Sequence, residues 1–237
     1  GTAHIPVMNA AAEKIMKANP DIRITVAGGG SGLGVQKAGE GLVQIGNAGR
    51  ALSAEEVAEY GLVSFPFAVD GVCTVVHPEN PLGSITSQQL QDIFAGRITN
   101  WKELGGSDHE IHLFTRDEAS GTRKVYWSKA LAKAEIAASA NVVASNGAMK
   151  TAVGKDPYAI GYVSIGHLDA SLKAPDLDGV AVTQENAADG TYPVTRKLYM
   201  NTKGEPEGLT RAFIDYILGE DGAGIIVDAG YLPVGGK

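Results

Sequence analysis

The sequence is poor in the features that define several protein classes. It has one cysteine, Cys73, so an intramolecular disulfide is excluded. The neighbours of this cysteine in GVCTVVHP are apolar, which predicts a buried strand residue rather than a reactive thiol. The longest apolar runs, such as GIIVDAGYLPV, are interrupted before the roughly 18 residues that a membrane-spanning helix needs. No transmembrane segment is therefore predicted.

An excess of basic residues is also lacking. The chain carries 27 Asp and Glu against 20 Lys and Arg, a formal net charge of -7. A nucleic-acid binder needs a basic face, so no nucleic-acid partner is predicted. His109 and His112 are three apart on a predicted strand and face opposite sides, so they are not expected to form a metal site. No cofactor is expected either. Any bound anion must be held by local geometry.

The composition, with 44% hydrophobic and 20% charged residues, is that of an ordinary globular protein. At 237 residues, the chain is long enough for one large core or two modest ones. It begins at Gly1 without a basic and apolar leader. Two alternatives follow: a cytoplasmic protein, or one whose leader has been removed.

Hydrophobic periodicity predicts alternating helices and strands, as in a doubly wound α/β sheet. Near the N-terminus it predicts a helix over 6–20, a strand over 22–27, a glycine loop over 28–34, a helix over 35–41 and a strand over 42–48. Two capping boxes, Ser53 with Glu56 and Thr86 with Gln89, predict further helix starts.

A change in the sequence pattern near residue 64, from alternating helices and strands to apolar strand-like runs interrupted by proline and glycine, predicts a second domain. The segment SFPFAVDGVCTVVHPENP contains two apolar runs, of which the first predicts a crossover strand. A second crossover is predicted at TRKLYMN, before a final helical segment. The predicted domains are therefore residues 1–68 with 200–237, and residues 69–199, joined by two hinge strands. Two such lobes can close on a ligand.

The glycine loop AGGGSGLG is the first candidate site. Glycines allow close backbone approach, so successive N–H groups at a helix start can point into one concavity, and Ser31 adds a hydroxyl. The alternative is a tight turn without a ligand. The loop lacks the Lys and Ser/Thr of a P-loop, so nucleoside triphosphate binding is not predicted.

The stretch TRDEASGTR, residues 115–123, is the second candidate. A predicted strand delivers Arg116, and a helix then starts with three hydrogen-bond donors: Ser120, Gly121 and Thr122. A guanidinium beside such donors suits a tetrahedral oxyanion, with Glu118 holding Arg116 in place. The alternative is that Ser120 is only an N-cap and Arg116 a surface ion pair.

Five segments carry a resemblance to a known family: GGGSGLG, IGNAGR, TRDEASGTR, ITNWKELGG and the closing GYLPV. In these segments the chain resembles the phosphate-binding proteins of bacterial phosphate ABC transporters. This resemblance implies a type II periplasmic-binding-protein clamshell that is not an enzyme. It also implies inorganic phosphate as ligand, the transmembrane subunits of a phosphate ABC transporter as partners, a monomeric state, and a periplasmic or extracellular membrane-associated location.

The resemblance also implies site residues. The opening GTAHIP corresponds to a loop whose main-chain N–H groups and hydroxyl touch the ligand, here Thr2, Ala3 and His4, the last through its main chain only. Further donors matched by the resemblance are Ser31, Arg116, Ser120, Gly121 and Thr122.

One position departs from the family pattern. After the strand LVQIGNA, the family has an aspartate or a serine, and the aspartate accepts the phosphate proton, whereas this chain has Gly49. A carboxylate acceptor rejects a fully ionised anion, so its absence opens the alternative of sulfate or a similar oxyanion. Asn47 or Arg50 could reach the ligand instead, although Arg50 could also be a salt-bridged loop residue.

Two functional alternatives of other classes remain at this stage. Ser31 or Thr122 could be the nucleophile of a phosphate-ester hydrolase, although no base or metal cluster accompanies them in the sequence. A sensor or scaffold could keep the two-lobe fold without a transport role.

Overall fold

The computed structural model describes residues 1–235 and divides the chain into two compact units. Unit 1 contains residues 1–70 together with the chain from Lys197 onwards, and unit 2 contains Gly71–Arg196. The chain therefore passes from one unit to the other twice.

In its described residues, unit 1 combines five helices with strands. Its helices are α1 Ile5–Ala18, α2 Ser31–Gly39, α3 Ala54–Tyr60, α8 Gly208–Leu218 and α9 Glu220–Asp228. Its strands are β1 Gly46–Ala48, β9 Leu232–Pro233 and portions of β2 Leu62–Val76 and β8 Thr195–Lys203. β1 pairs antiparallel with β8, with Asn47 opposite Met200, and β9 pairs antiparallel with β2.

Helix α2 lies unusually close to β1 because two glycines face each other. An added Cβ on Gly46 would lie 2.1 Å from the Gly34 carbonyl oxygen, and one on Gly34 would lie 2.4 Å from the Asn47 carbonyl oxygen. Val35, Ala38 and Ala48 form a buried cluster at this contact. The glycine pair thus sets the distance between α2 and β1.

Unit 2 is built on a mixed sheet. Its elements are the rest of β2 and β8, the strands β3 Ser84–Ile85, β4 His112–Arg116, β5 Asn141–Val143, β6 Ala159–Ser164 and β7 Asp176–Leu177, the helices α4 Ser87–Phe94, α5 Gly121–Lys129, α6 Asn146–Lys155 and α7 Gln184–Asp189, and the 3₁₀ turns Trp101–Leu104 and Ile165–His167. β6 pairs antiparallel with β2 and parallel with β4, which pairs parallel with β5. The carboxyl ends of β4 and β6 consequently lie at one edge.

Helices cover both faces of this sheet. One buried cluster contains Phe94 of α4, Tyr126 of α5 and Tyr162 of β6. The other contains Met149 and Val153 of α6 with Cys73, which is fully buried as the sequence predicts. A mixed sheet with helices on both faces is an α/β architecture, so the predicted fold class is confirmed. Within residues 1–235, no helix is both long and apolar enough to span a bilayer.

The predicted elements differ from the structure in four places. The helix predicted over 35–41 begins earlier, because α2 Ser31–Gly39 starts inside the predicted glycine loop. Residues 22–27 alternate in exposure but are not assigned to a strand, so this prediction is wrong. The strand predicted over 42–48 is reduced to β1 Gly46–Ala48. The two apolar runs predicted around Pro66 and Gly71 form one continuous strand, β2 Leu62–Val76.

Both predicted capping boxes are confirmed. The Glu56 amide donates to Ser53 Oγ at 3.1 Å, and the Ser53 amide donates to a Glu56 carboxylate oxygen at 2.9 Å. Thr86 and Gln89 make the equivalent pair at 3.1 and 2.9 Å. These reciprocal bonds satisfy amides that a helix start otherwise leaves without acceptors.

Candidate functional site

The start of α2 carries the first group of predicted site residues. Ser31 opens the helix and is 2% exposed, and its Oγ accepts a hydrogen bond from the Gly49 amide at 2.9 Å. The first N–H groups of a helix have no intrahelical acceptor. In unit 1, Ser31 and Gly49 are therefore brought together beside free helix-start donors.

The opening residues Thr2, Ala3 and His4 are all buried and lead into α1. The Ala3 carbonyl accepts from the Tyr231 hydroxyl at 2.7 Å. His4 Nε2 lies 3.1 Å from the Tyr199 carbonyl oxygen, and the imidazole packs on Phe67 with ring centroids 5.4 Å apart. The His4 side chain thus fixes the loop, which agrees with a main-chain role for this residue.

Asn47 and Arg50 flank Gly49 but differ in their surroundings. The Asn47 side-chain Oδ1 is buried and has no hydrogen-bond partner among residues 1–235. The Arg50 guanidinium donates to both Glu56 carboxylate oxygens, at 2.9 and 2.7 Å, and to the Ala51 carbonyl at 3.1 Å. The structure therefore places Arg50 in the salt-bridged arrangement that was the alternative to a ligand contact.

Strand β4 delivers the second group in unit 2. Arg116, the last residue of β4, is 1% exposed, and its Nη2 donates to the Ala144 carbonyl at 3.3 Å. Burial lowers the pKa of the guanidinium, and the nearby Asp117 carboxylate partly offsets this effect. An arginine keeps its charge even so, and a buried cation of this kind favours an anion.

The start of α5 adds donors next to Arg116. Ser120 is the N-cap, and its Oγ accepts from the Arg123 amide at 3.0 Å. The Gly121 and Thr122 amides are the first N–H groups of this helix, so they have no acceptor within it and can donate to a ligand. Charged and main-chain donors at a helix start are a common anion-binding arrangement.

The predicted pairing of Glu118 with Arg116 is wrong. Glu118 is exposed, and within the described chain it makes neither an ion pair nor a hydrogen bond with Arg116. Asp117 lies closer instead, with its Oδ2 3.8 Å from Arg116 Nε. The turn between β4 and α5 explains the difference, because the Ala119 amide and the Ser120 amide both bond back to Asp117 and hold it beside the strand end.

Arg116 is held in place by Tyr162, whose ring stacks on Tyr126. The Tyr162 hydroxyl accepts from the Arg116 amide at 3.0 Å and lies 2.8 Å from Thr115 Oγ1. Its ring stacks on Tyr126 with centroids 4.2 Å apart, and burial raises the pKa of both phenols. Both hydroxyls therefore stay protonated and can serve as hydrogen-bonding supports.

Asn146 is a functional candidate that the sequence analysis missed. It is fully buried at the start of α6, donates to Thr122 Oγ1 at 3.2 Å and accepts from the Ser164 amide at 2.8 Å. It thus joins α5, α6 and the end of β6. The available signal was Ser145, a serine directly before the helix-forming segment NGAMKTAVGK, which is the same type of position as Ser120 before Gly121.

We expect Asn146→Ala to lower the free energy of unfolding by about 2 kcal/mol, because it removes a buried hydrogen-bond partner from both the Ser164 amide and Thr122. Urea denaturation followed by circular dichroism measures the change. Asn141→Ala is the matched control, since its amide donates to the Leu113 carbonyl at an exposed position. Equal losses in the two variants would contradict the bridging role.

Among residues 1–235, no group of three or more His, Cys, Asp or Glu side chains is placed to hold a metal ion. Each unit by itself thus offers hydroxyl and main-chain donors at a helix start, and unit 2 adds a buried guanidinium. This chemistry is that of a binding protein for a small oxyanion.

Comparison with known proteins agrees with this class. The PBP superfamily domain matches residues 1–221, and the chain therefore belongs to this family. The phosphate-binding protein PstS of Bacillus subtilis (strain 168) is 41% identical over 232 residues, which cover 97% of this chain and 77% of the relative.

Solved structures similar to this chain are also of phosphate transport proteins. A Clostridium perfringens protein described as a putative phosphate ABC transporter substrate-binding protein with bound phosphate has a TM-score of 0.93 and 35% identity, covering 99% of this chain and 97% of its own. An ABC-type phosphate transport receptor from Vibrio cholerae has a TM-score of 0.77 and 33% identity, covering 98% and 97%. The predicted type II periplasmic-binding-protein fold is confirmed.

Proposed function

We propose that this chain is a solute-binding protein that captures inorganic phosphate outside the cytoplasm and delivers it to the transmembrane subunits of an ABC transporter. The names of its relatives support phosphate as ligand and an ABC transporter as context. The same names support a role in binding and transport rather than catalysis.

The observation that carries the proposal is the position of Arg116. Its guanidinium is 1% exposed and ends the strand that leads directly into α5, where the Gly121 and Thr122 amides are available. Charge-assisted bonds from a guanidinium, together with main-chain donors, suit an oxyanion that has lost its water. Ser120 and Thr122 add hydroxyls to this half of the site.

Unit 1 supplies the other half in this proposal. The donors are Thr2, Ala3 and His4 through the opening loop, and Ser31 at the start of α2; Asn47 lies in β1 and Gly49 directly follows this strand. The two predicted lobes, 1–68 with 200–237 and 69–199, close on the ligand as a monomer. Arg50 is engaged by Glu56 and acts by shaping the loop.

Isothermal titration calorimetry with inorganic phosphate tests the proposal directly. We expect one phosphate ion bound per chain in a chloride buffer. Nitrate is the matched control, because it is an anion of different shape that cannot offer four oxygens. Absence of heat with phosphate, over concentrations up to the millimolar range, would reject the proposed function.

Sulfate is a second candidate ligand because Gly49 provides no carboxylate to repel a fully ionised anion. Titration of both anions at two pH values separates the candidates. Preference for sulfate at each pH would replace the phosphate assignment.

A hydrolase is disfavoured by the contacts of the candidate nucleophiles. Ser31 Oγ accepts from the Gly49 amide and Thr122 Oγ1 accepts from Asn146, and in the described chain neither hydroxyl bonds to a histidine or carboxylate. Nucleophilic catalysis needs such a base. Release of a chromogenic phenol from a phosphate ester would overturn this conclusion.

A further inference from the structure

His167 occupies the same edge of the unit 2 sheet as Arg116. The two strands β4 and β6 run parallel, and β4 ends at Arg116 while β6 ends at Ser164. His167 closes the 3₁₀ turn that directly follows β6. Parallel strands place their carboxyl ends together, which is where α/β proteins bind ligands.

The packing of α6 connects His167 to the same edge. Asn146, at the start of this helix, bonds both to Thr122 and to the Ser164 amide. Lys150 lies one turn further on the same helix face and forms an ion pair with Asp169, two residues after His167. The half-buried His167 thus lies in a turn next to elements that also position the anion-binding donors.

The imidazole has an unused hydrogen-bonding atom. His167 Nδ1 is buried and has no hydrogen-bond partner among residues 1–235. The pKa of His167 is lowered to about 4, mainly by burial. The nearby positive charges of Lys150 on α6, Arg196 on β8 and Arg116 on β4 lower it further. The ring is therefore neutral near pH 7, with one N–H and one acceptor nitrogen.

We infer that His167 is a further specificity-determining residue of the anion site, whose neutral Nδ1 accepts a hydrogen bond from the protonated oxygen of the ligand. This inference rests on the proposed function. It requires the ring proton to be on Nε2, which leaves the Nδ1 lone pair available. The geometric basis is a buried acceptor without a partner at the edge that carries Arg116.

The chemistry of the ligand explains what such an acceptor contributes. Near neutral pH, inorganic phosphate carries at least one proton, whereas sulfate carries none. Donors alone cannot distinguish the two ions, because both are tetrahedral. An acceptor bonds the phosphate O–H but repels a sulfate oxygen. His167 would thus provide the discrimination that Gly49 cannot.

The test compares phosphate and sulfate affinities for the intact chain and for His167→Phe, which keeps a planar ring without an acceptor. We expect His167→Phe to lower the phosphate-to-sulfate affinity ratio about tenfold, mainly through weaker phosphate binding. His167→Asn should restore part of the ratio, because asparagine Oδ1 is attached at the position of Nδ1.

Two control variants make the test specific. His109→Phe alters an exposed histidine that stacks on Tyr158 and should leave the ratio unchanged. Asn47→Ala removes the buried acceptor of unit 1. An unchanged ratio in His167→Phe, with or without a lower ratio in Asn47→Ala, would overturn the inference.

A second measurement keeps the inference testable if His167→Phe does not fold or sulfate binds too weakly. In ¹⁵N-labelled unsubstituted protein, the Nδ1 resonance of His167 should shift on saturation with phosphate, as expected for a nitrogen that gains a hydrogen bond. A resonance that stays in place would reject the inference. Failure of the unsubstituted protein to bind phosphate would instead reject the proposed function.

Discussion

Replacing Arg116 with alanine is expected to weaken phosphate binding by about 1.5 to 3 kcal/mol, or roughly 10- to 150-fold in Kd. The guanidinium is 1% exposed, so its charge acts on the ligand with little screening by water. The same burial carries a desolvation cost, since it lowers the pKa of the guanidinium. We therefore expect affinity to fall far more than stability.

Calorimetry with phosphate measures the loss, and thermal unfolding of the ligand-free protein measures the stability. Arg116→Lys should give an intermediate affinity, because a lysine keeps the charge but not the planar fork. Arg97→Ala is the matched control, as this exposed arginine pairs only with Asp92 in the described structure. An Arg116→Ala affinity within twofold of that of Arg97→Ala would place the ligand elsewhere.

Replacing Gly46 with alanine is expected to lower the free energy of unfolding by about 3 kcal/mol. The added methyl group would lie 2.1 Å from the Gly34 carbonyl oxygen and 2.7 Å from Ala38 Cβ. Backbone atoms cannot rotate away as a flexible side chain can, so α2 must move from β1. That movement separates Ser31 from the Gly49 amide and should also weaken phosphate binding.

Urea denaturation measures this stability change. Gly224→Ala is an informative control with the opposite sign, because Gly224 lies in the exposed middle of α9 and an added Cβ meets nothing within 4 Å. Alanine has the higher helix propensity, so this variant should gain up to about 1 kcal/mol. A Gly46→Ala protein as stable as the unsubstituted chain would show that the glycine contact has no energetic role.

Local signals in the sequence predicted the helix starts well. The capping boxes at Ser53 and Thr86 depend on residues three apart, so their geometry is encoded within one turn of chain. The same holds for Ser120, which is the N-cap of α5 as its position after a strand indicates. These are the features for which sequence and structure agree most closely.

Strand predictions fared less well because a strand requires a partner that is distant in sequence. Residues 22–27 have the alternating exposure of a strand, yet none of them is assigned to one. Alternation reports which side chains face the protein and does not identify a hydrogen-bonding neighbour. For β2, the two apolar runs were separated in the prediction because Pro66 and Gly71 are normally unfavourable within a strand.

In the candidate site too, contacts between residues near in sequence were easier to predict than contacts between residues far apart in sequence. Asp117 and Glu118 are adjacent acids, and only the fold of the turn decides that Asp117 lies beside Arg116. Asn146 could not be assigned because its partners Thr122 and Ser164 are 24 and 18 residues away. Which residues contact a ligand stays a prediction, to be tested by the variants above.

The two crossings of the chain between the units impose an order on folding. Unit 2 is one continuous segment, Gly71–Arg196, so its sheet can form without any residue of unit 1. Unit 1 cannot, because β1 pairs with β8 and the Ala3 carbonyl is bonded by Tyr231 near the other end of the chain. Residues 1–70 therefore complete their contacts only after the segments that carry β8 and Tyr231 have joined them.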